Sequence, residues 1–190
     1  LHDLLVTWEA MTPGGIRQGG AGVAIDWGVA ETPLGWMAVG TTARGICHLS
    51  FLDEAPEASI VAGRLRQSWP QAALQHRPEV ASALAKRLFG EGRDAGPLHL
   101  LLRGPPFRLK LRAALVRIPA GRVCSYAGLA ARAGAPRAAR AVGSAMASND
   151  IALIIPCHRV IRESGEIGAY RWNPVRKAVL LGLEQARRHG

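Results

Sequence analysis

Residues 125–147 read Ser125-Tyr126-Ala127-Gly128-Leu129-Ala130-Ala131-Arg132-Ala133-Gly134-Ala135-Pro136-Arg137-Ala138-Ala139-Arg140-Ala141-Val142-Gly143-Ser144-Ala145-Met146-Ala147. Ser125 is a candidate N-cap for a short helix through Ala133. Gly134-Ala135-Pro136 reads as a tight turn, and Pro136 suits the first position of a second helix running to about Ala147. Two short helices across such a turn give a helix-turn-helix outline. Helical hairpins are also common packing units, so the outline alone leaves DNA binding and plain packing open. The second helix says more. Its side chains are nearly all small, and Arg140 is the single long cation among them. An isolated charge is costly to bury, which argues for an exposed face. A smooth helix with one Arg suits the minor groove better than the groove that long side chains read.

Upstream, Phe107, Leu111, Leu115 and Ile118 recur on one helical face, with Arg108, Lys110, Arg112 and Arg117 off it. Gly104-Pro105-Pro106 breaks the chain before this helix, and Pro119-Ala120-Gly121 ends it. The break coincides with a shift in charge. Lys and Arg total 24 against 14 Asp and Glu, for a net +10. Residues 1–95 carry 8 basic and 10 acidic side chains, whereas residues 96–190 carry 16 and 4. Codon usage rich in Arg explains why 21 of the basic residues are Arg; it does not explain why acids thin out in one half. The second half is therefore expected to meet a polyanion, with nucleic acid ahead of an acidic membrane surface.

The first half reads differently. Leu1 to Gly22 is irregular, with turns at Pro13-Gly14-Gly15 and Gly19-Gly20. From Val23 to Leu52 the pattern is strand-like, and residues 35–40 and 46–51 flank a hairpin turn at Ala43-Arg44-Gly45. Residues 57–68 and 77–90 read as helices split by Trp69-Pro70, and Leu98 to Leu102 as a strand. Three parts are expected: an extension or linker over 1–22, an N-terminal domain over 23–103, and a C-terminal domain over 104–190. A first residue other than Met suggests a chain trimmed at its start.

Several classes have no support. With 48% apolar residues the chain has the material for a core without disulfides or metals. No stretch approaches the ~20 apolar residues of a membrane span, and no secretory leader is visible. Cys47, Cys124 and Cys157 form no CxxC pair, and an odd count fits a reducing cytoplasm. The dipeptides Cys47-His48 and Cys157-His158 match no zinc spacing, so no metal is expected.

Cys157 lies in Ile151-Ala152-Leu153-Ile154-Ile155-Pro156-Cys157-His158-Arg159-Val160, after an apolar run read as strand-like or extended. Nucleophilic use of a Cys needs a thiolate, favoured by nearby cations or a base. A buried structural thiol fits the residues equally well. After the turn at Glu163 to Gly168, Tyr170-Arg171-Trp172 leads to Asn173 and Pro174 as cap and first residue of a final helix. That helix is read as a core helix packing Val175, Val179, Leu183 and Ala186 on one face.

Residues 104–184 resemble the C-terminal domain of O6-alkylguanine-DNA alkyltransferases. The resemblance rests on an ordered set over about 80 residues: Ile118-Pro119-Ala120-Gly121, Ser125-Tyr126, Ala139-Arg140-Ala141-Val142-Gly143, Asn149, Ile155 to Val160, Gly168-Ala169-Tyr170, Lys177, and Leu180-Leu181 before Glu184. Alkyltransferase-like lesion sensors typically hold Trp where this chain has Cys157. The first half resembles the family's N-terminal domain in Thr32-Pro33-Leu34-Gly35 and Arg44-Gly45-Ile46-Cys47. Leu4 to Gly15 looks like the join after an AraC-type domain in Ada-type regulators. Two departures stand out. The helix at Phe107 has Arg108 and Arg112 in place of the usual Gln and Trp, and Asp150 replaces the Pro that commonly follows the Asn.

The resemblance implies an α/β fold: a ribonuclease H-like mixed-sheet domain with helices, then a helical, winged helix-turn-helix-like catalytic domain. It implies a monomer that binds double-stranded DNA in the minor groove and flips the damaged base out of the stack. Cys157 would take the alkyl group from O6-alkylguanine, with O4-alkylthymine a further candidate, in one irreversible turnover without a cofactor. His158 would act as base through a water, oriented by Glu184, and Asn149 would link the recognition helix to the active-site segment. Tyr126 would crowd the 3′ phosphate and protonate N3 of the departing guanine. Arg140 would fill the space left by the flipped base, with Arg137, Ala139, Gly143 and Ser144 against DNA. Tyr170, Val160, Arg171 and Met146 would line the base pocket. Two other classes remain: a lesion sensor or the C-terminal part of a methylation-triggered regulator, and a Cys-His hydrolase. The adjacency of Cys157 and His158 and the basic charge speak against the hydrolase. The expected location is a bacterial cytoplasm, on damaged nucleoid DNA.

Overall fold

The computed structural model describes residues 5–90 and 96–189, with side chains to Ala186 at the C-terminal end. The chain packs as two compact units that divide between Gly104 and Pro105.

The first unit contains β1 (Val6–Ala10), α1 (Pro13–Arg17), β2 (Ala24–Thr32), β3 (Gly35–Thr42), β4 (Gly45–Leu52), α2 (Ala58–Ser68), β5 (Ala73–His76), α3 (Pro78–Phe89) and β6 (Leu98–Leu102). The strands form one mixed sheet in the order β1-β6-β4-β3-β2-β5. The meander β2–β3–β4 is antiparallel, and β5 returns across α2 to lie parallel to β2, a ribonuclease H-like arrangement. Gly45 opens β4 at φ +129°, where a Cβ would sit 2.5 Å from the His99 carbonyl oxygen of the neighbouring strand. Only glycine permits both that backbone and that approach. Ile25, Met37, Val39, Leu49, Leu65 and Trp69 are buried in the core of this unit.

The opening stretch is not irregular throughout. β1 pairs in parallel with β6, from Val6 opposite Leu98 to Ala10 opposite Leu102, and Thr12 caps α1 by accepting from the Gly15 amide. β1 is a mostly exposed edge strand. It therefore lacks the alternation that marks a half-buried strand, and its partner lies some ninety residues away. Leu1, where a trimmed start is expected, and Leu4, the first residue of the regulator-like join over Leu4 to Gly15, lie outside the described residues.

The second unit contains α4 (Pro106–Val116), β7 (Cys124–Ser125), α5 (Tyr126–Arg132), α6 (Ala139–Ala147), a 3-10 turn (Cys157–Arg159), β8 (Val160–Ile161) and α7 (Pro174–His189). Leu111, Leu115 and Ile118 are buried as the stripe predicts, but so is Arg112. Ser125 caps α5 by accepting from the Gly128 amide at 3.0 Å. Pro136 does not start the next helix. The Ala138 amide bonds to the Ala135 carbonyl in a further turn, and α6 begins at Ala139. Arg137 thus lies in the connection, not on the helix. β7 and β8 pair in parallel, with Cys124 opposite Val160. This pairing brings the start of the helix pair beside the segment that follows Cys157.

Two readings need correction. The apolar run 151–155 is not a strand. It is a buried succession of turns in which the Ile154 amide bonds to Ala152 O and the Ile155 amide to Ile151 O. Leu153 adopts φ 65° there, an unfavourable region for a branched side chain. Apolar runs do not distinguish a buried strand from a buried coil, because burial removes the periodicity that separates them. The final helix is turned away from the expected face. Val175, Val179 and Leu183 are exposed, the first at 69%, while Arg176, Lys177, Leu180 and Glu184 are buried. Polar partners in the unit's interior, not apolar content, select the buried face of α7. Among the described residues, no helix is long and apolar enough to cross a membrane.

This orientation is measurable by chemical denaturation. Leu180→Ala is expected to cost about 2–5 kcal/mol, whereas Val179→Glu should stay within about 0.5 kcal/mol of the parent. The reverse order would return α7 to the face expected from hydrophobicity.

Candidate active site

Cys157 opens the 3-10 turn and is 4% exposed. Asn149, just past the C-cap of α6, is buried and holds the run of turns in place. Its Nδ2 donates to Ile151 O at 3.2 Å, Ile155 O at 3.1 Å and Cys157 Sγ at 3.2 Å. Its Oδ1 accepts from the Ile151 amide at 3.2 Å. One side chain thereby ties the end of α6, the strained turn and the thiol together.

His158 is fully buried, and its Nε2 lies 3.0 Å from Glu184 Oε1. Glu184 also receives Arg159, with Nε at 3.0 Å from Oε2 and Nη2 at 2.8 Å from Oε1, and the Gly121 amide at 3.1 Å. Arg159 further donates through Nη1 to the Ile118 carbonyl. The stretch Ile118-Pro119-Ala120-Gly121 therefore supplies both an acceptor and a donor to this network. A buried carboxylate is tolerated where such charge-assisted hydrogen bonds compensate its lost hydration.

Burial pushes the Cys157 thiol up to about 11, against the opposing pull of the Asn149 hydrogen bond and the charges of Lys177 and Arg171. Burial also lowers His158, more than Glu184 raises it, so the imidazole is neutral near pH 7. Burial alone would raise Glu184, but the hydrogen bonds and charges of His158 and Arg159 hold it at about 2. A neutral imidazole beside a carboxylate donates its Nε2 proton to it, which leaves Nδ1 as a lone-pair acceptor. His158 Nδ1 and Tyr170 Oη are buried and have no protein hydrogen-bond partner. Such orphans each cost about 1–3 kcal/mol and mark places where function outweighs packing.

The remaining expected site residues fall into two groups. Val160, Tyr170 and Met146 are buried, and Tyr170 meets His158 edge-on with ring centroids 6.5 Å apart. Arg171 donates to Asn149 O at 3.1 Å and Asp150 Oδ1 at 3.2 Å, and lies over the Trp172 ring. Asp150, where the family commonly has Pro, is thus an ion-pair partner. Tyr126 is half-buried at the start of α5, and burial followed by Cys157 raises its phenol. The second group is the surface of α6 and its approach. Arg137, Arg140 and Ser144 are exposed, Ala139 and Gly143 half-exposed, and Val142, Ala145 and Met146 face inward.

Two participants were not assigned from sequence. Arg159 sits next to the Cys-His pair but reads as one more basic residue, since nothing local shows that it points at Glu184. Lys177 is 1% exposed and donates from Nζ to Val160 O at 2.7 Å. Its burial is legible only once the orientation of α7 is known. Among the described residues, no three His, Cys, Asp or Glu side chains gather as a metal site.

A capped helix pair, a buried thiol held by Asn149 and a buried His158–Glu184 pair next to it in sequence make up the candidate site. Residues 106–186 match the family model described as 6-O-methylguanine DNA methyltransferase, DNA binding domain. The methylated-DNA–protein-cysteine methyltransferase of Mycolicibacterium paratuberculosis is 33% identical over 87% of this chain and 94% of its own length. The constitutive enzyme of that name from Bacillus subtilis is 36% identical over 82% of this chain and 93% of its own. The bifunctional transcriptional activator/DNA repair enzyme Ada of Escherichia coli is 39% identical over 92% of this chain, which spans about half (49%) of Ada. Among solved structures, Mycobacterium tuberculosis O6-methylguanine methyltransferase superposes with a TM-score of 0.69 at 33% identity, over 86% of this chain and 94% of that one. The same organism's OGT in complex with DNA gives 0.67 at 32% identity, over 85% and 94%. The chain belongs to the methylated-DNA–protein-cysteine methyltransferase family.

The buried ionisation states predict acid sensitivity. His158 is depressed below 6.5 and Glu184 from 4.5 to about 2. Both groups bind protons more readily unfolded, so the stability they confer is present above those unfolded values and is lost as pH falls. Urea unfolding of the parent should show stability declining from pH 6.5 downward. His158→Gln should flatten the first part of that decline, just below pH 6.5. A parent equally stable at pH 7.5 and 5 would refute this assignment of charge.

Proposed function

We propose that this chain repairs DNA by moving the alkyl group of O6-alkylguanine onto Cys157 in a single turnover. The observation that carries the reading is a buried thiol held by Asn149 and, on the next residue of the chain, a neutral, carboxylate-anchored imidazole. With its pKa at about 11 the thiol keeps its proton at neutral pH, so transfer needs a base. Nδ1 of His158 is the group free to serve, through a water, while Glu184 and Arg159 hold the ring. The sulfur forms a bond to the alkyl carbon as the carbon–O6 bond breaks. The thiol proton passes to the relay, and the guanine leaving group is protonated at N3 by Tyr126, whose raised phenol stays a donor at neutral pH. The product thioether is a poor leaving group, and nothing in the site returns the thiol.

In this reading residues 104–190 form the DNA-binding catalytic domain and 23–103 the N-terminal domain. The protein acts as a monomer on duplex DNA in the cytoplasm. Arg140 enters the minor groove and fills the gap left by the flipped base. Arg137, Ala139, Gly143 and Ser144 face the backbone, which suits their exposure. Tyr126 crowds the 3′ phosphate. Val160, Tyr170, Arg171 and Met146 line the base pocket, which takes O6-alkylguanine and, as a further candidate, O4-alkylthymine. The half-length match to Ada favours a second reading at the level of the whole protein, in which these domains serve a methylation-responsive transcription regulator.

Duplex DNA carrying one O6-methylguanine provides the test. Intact mass should rise by one CH2, mapped to the Cys157 peptide, with guanine restored in the DNA and no second turnover. Cys157→Ser should bind the lesion without gaining mass. Lesion binding by the parent with unchanged mass would make this protein a sensor.

A further inference from the structure

After β8 the chain makes a tight turn in which the Arg162 amide bonds to Glu166 O at 2.9 Å and the Gly165 amide to Arg162 O at 3.0 Å. The turn leads to Gly168, whose φ of +73° favours glycine. A methyl built on Gly168 would lie 3.7 Å from Arg162 Cγ, 3.8 Å from its Nε and 3.9 Å from Tyr126 Oη. Arg162 and Tyr126 thus flank one small residue, two positions before the buried Tyr170. Arg162 Nη1 donates to Glu166 Oε2 at 2.6 Å, and both side chains are more than 60% exposed.

Such an exposed pair contributes about 0–1 kcal/mol, so its carboxylate is readily exchanged for a stronger anion. The location of the acid is also unusual. Residues 96–190 hold only four acidic side chains, and Glu163 and Glu166 both lie in this turn. We propose that Arg162 binds the phosphodiester 3′ of the flipped nucleotide together with Tyr126, and that Glu166 is its displaceable counterion in the free protein. This inference rests on the alkyl-transfer reading of Cys157. A guanidinium gives a phosphate two parallel charge-assisted hydrogen bonds, and the Tyr126 phenol, close to the same point above Gly168, supplies a third donor. Glu166 then selects for engagement: Arg162 is uncovered only where a phosphate replaces the carboxylate.

The test crosses the protein with the DNA. Single-turnover transfer is measured for the parent and for Arg162→Gln, on a duplex with one O6-methylguanine and on the same duplex with a neutral methylphosphonate 3′ of the lesion. Arg162→Gln should slow transfer about tenfold on the native duplex. It should make the salt dependence shallower by about 0.9 in log–log slope, and should cause little further loss on the methylphosphonate duplex. Arg162→Lys should keep the parent's salt slope, and Glu166→Gln should speed transfer from the native duplex. Losses that multiply independently, or an Arg162→Gln protein as fast as the parent, overturn the inference while leaving transfer to Cys157 intact. A parent that fails to methylate on the native duplex overturns the transfer reading itself, and this inference with it.

Discussion

The Glu184 carboxylate is the constraint around which the second unit is arranged. It accepts from His158 and Arg159, which share one turn, and from the Gly121 amide on a separate stretch of chain. A buried anion with fewer donors would be strongly destabilising, so helix α7 must present it where those donors converge. That requirement explains the inverted face of α7. Leu180 and the stems of Arg176 and Lys177 supply apolar contact, and the valines that hydrophobicity alone would bury remain in solvent. Lys177 then reaches the Val160 carbonyl, anchoring the segment just past the nucleophile.

Asn149 does for the thiol what Glu184 does for the imidazole. Its two amide hydrogens are shared among two carbonyls of a buried coil that would otherwise hold orphaned groups and the Cys157 sulfur. The left-handed Leu153 is the local cost of reversing the chain so tightly. Asp150 fits the same economy. Where a proline would stiffen the segment after the Asn covalently, here Arg171 bridges the Asp150 carboxylate and the Asn149 carbonyl. The loop is held by charge in place of a ring.

Much of this was legible in the chain, and the limits have physical causes. The Ser125 cap, the hairpin at Ala43 to Gly45 and the stripe from Leu111 to Ile118 are local signals, and they appear where spacing and turn chemistry put them. β1 and β5 were missed because edge strands lack a buried alternation, and their pairing is decided by partners far along the chain. The turns at 151–155 defeat periodicity because every side chain is buried. At the site, the ordered motif identified Cys157, His158, Asn149 and Glu184 as a set. Arg159 and Lys177 belong to the same motif but carry no role readable from it, because the role of a buried cation depends on which acceptor it meets, and that is a property of the packed unit.

The electrostatics of the free protein bear on why the thiol is buried at all. A nucleophile that reacts once and is not regenerated is wasted by any electrophile that reaches it as a thiolate. Burial holds Cys157 near 11 despite Asn149, Lys177 and Arg171, so at neutral pH it is almost entirely the weakly nucleophilic thiol. The same burial keeps His158 neutral and able to take a proton. Reactivity is therefore not stored as a standing charge. In the proposed transfer it is produced only when an alkylated base meets the thiol, as proton removal and carbon–oxygen cleavage proceed together. A site used once, as proposed for Cys157, would gain selectivity from that arrangement: the raised thiol limits reaction with small electrophiles, and proton removal is left to the substrate that places a carbon in line with sulfur.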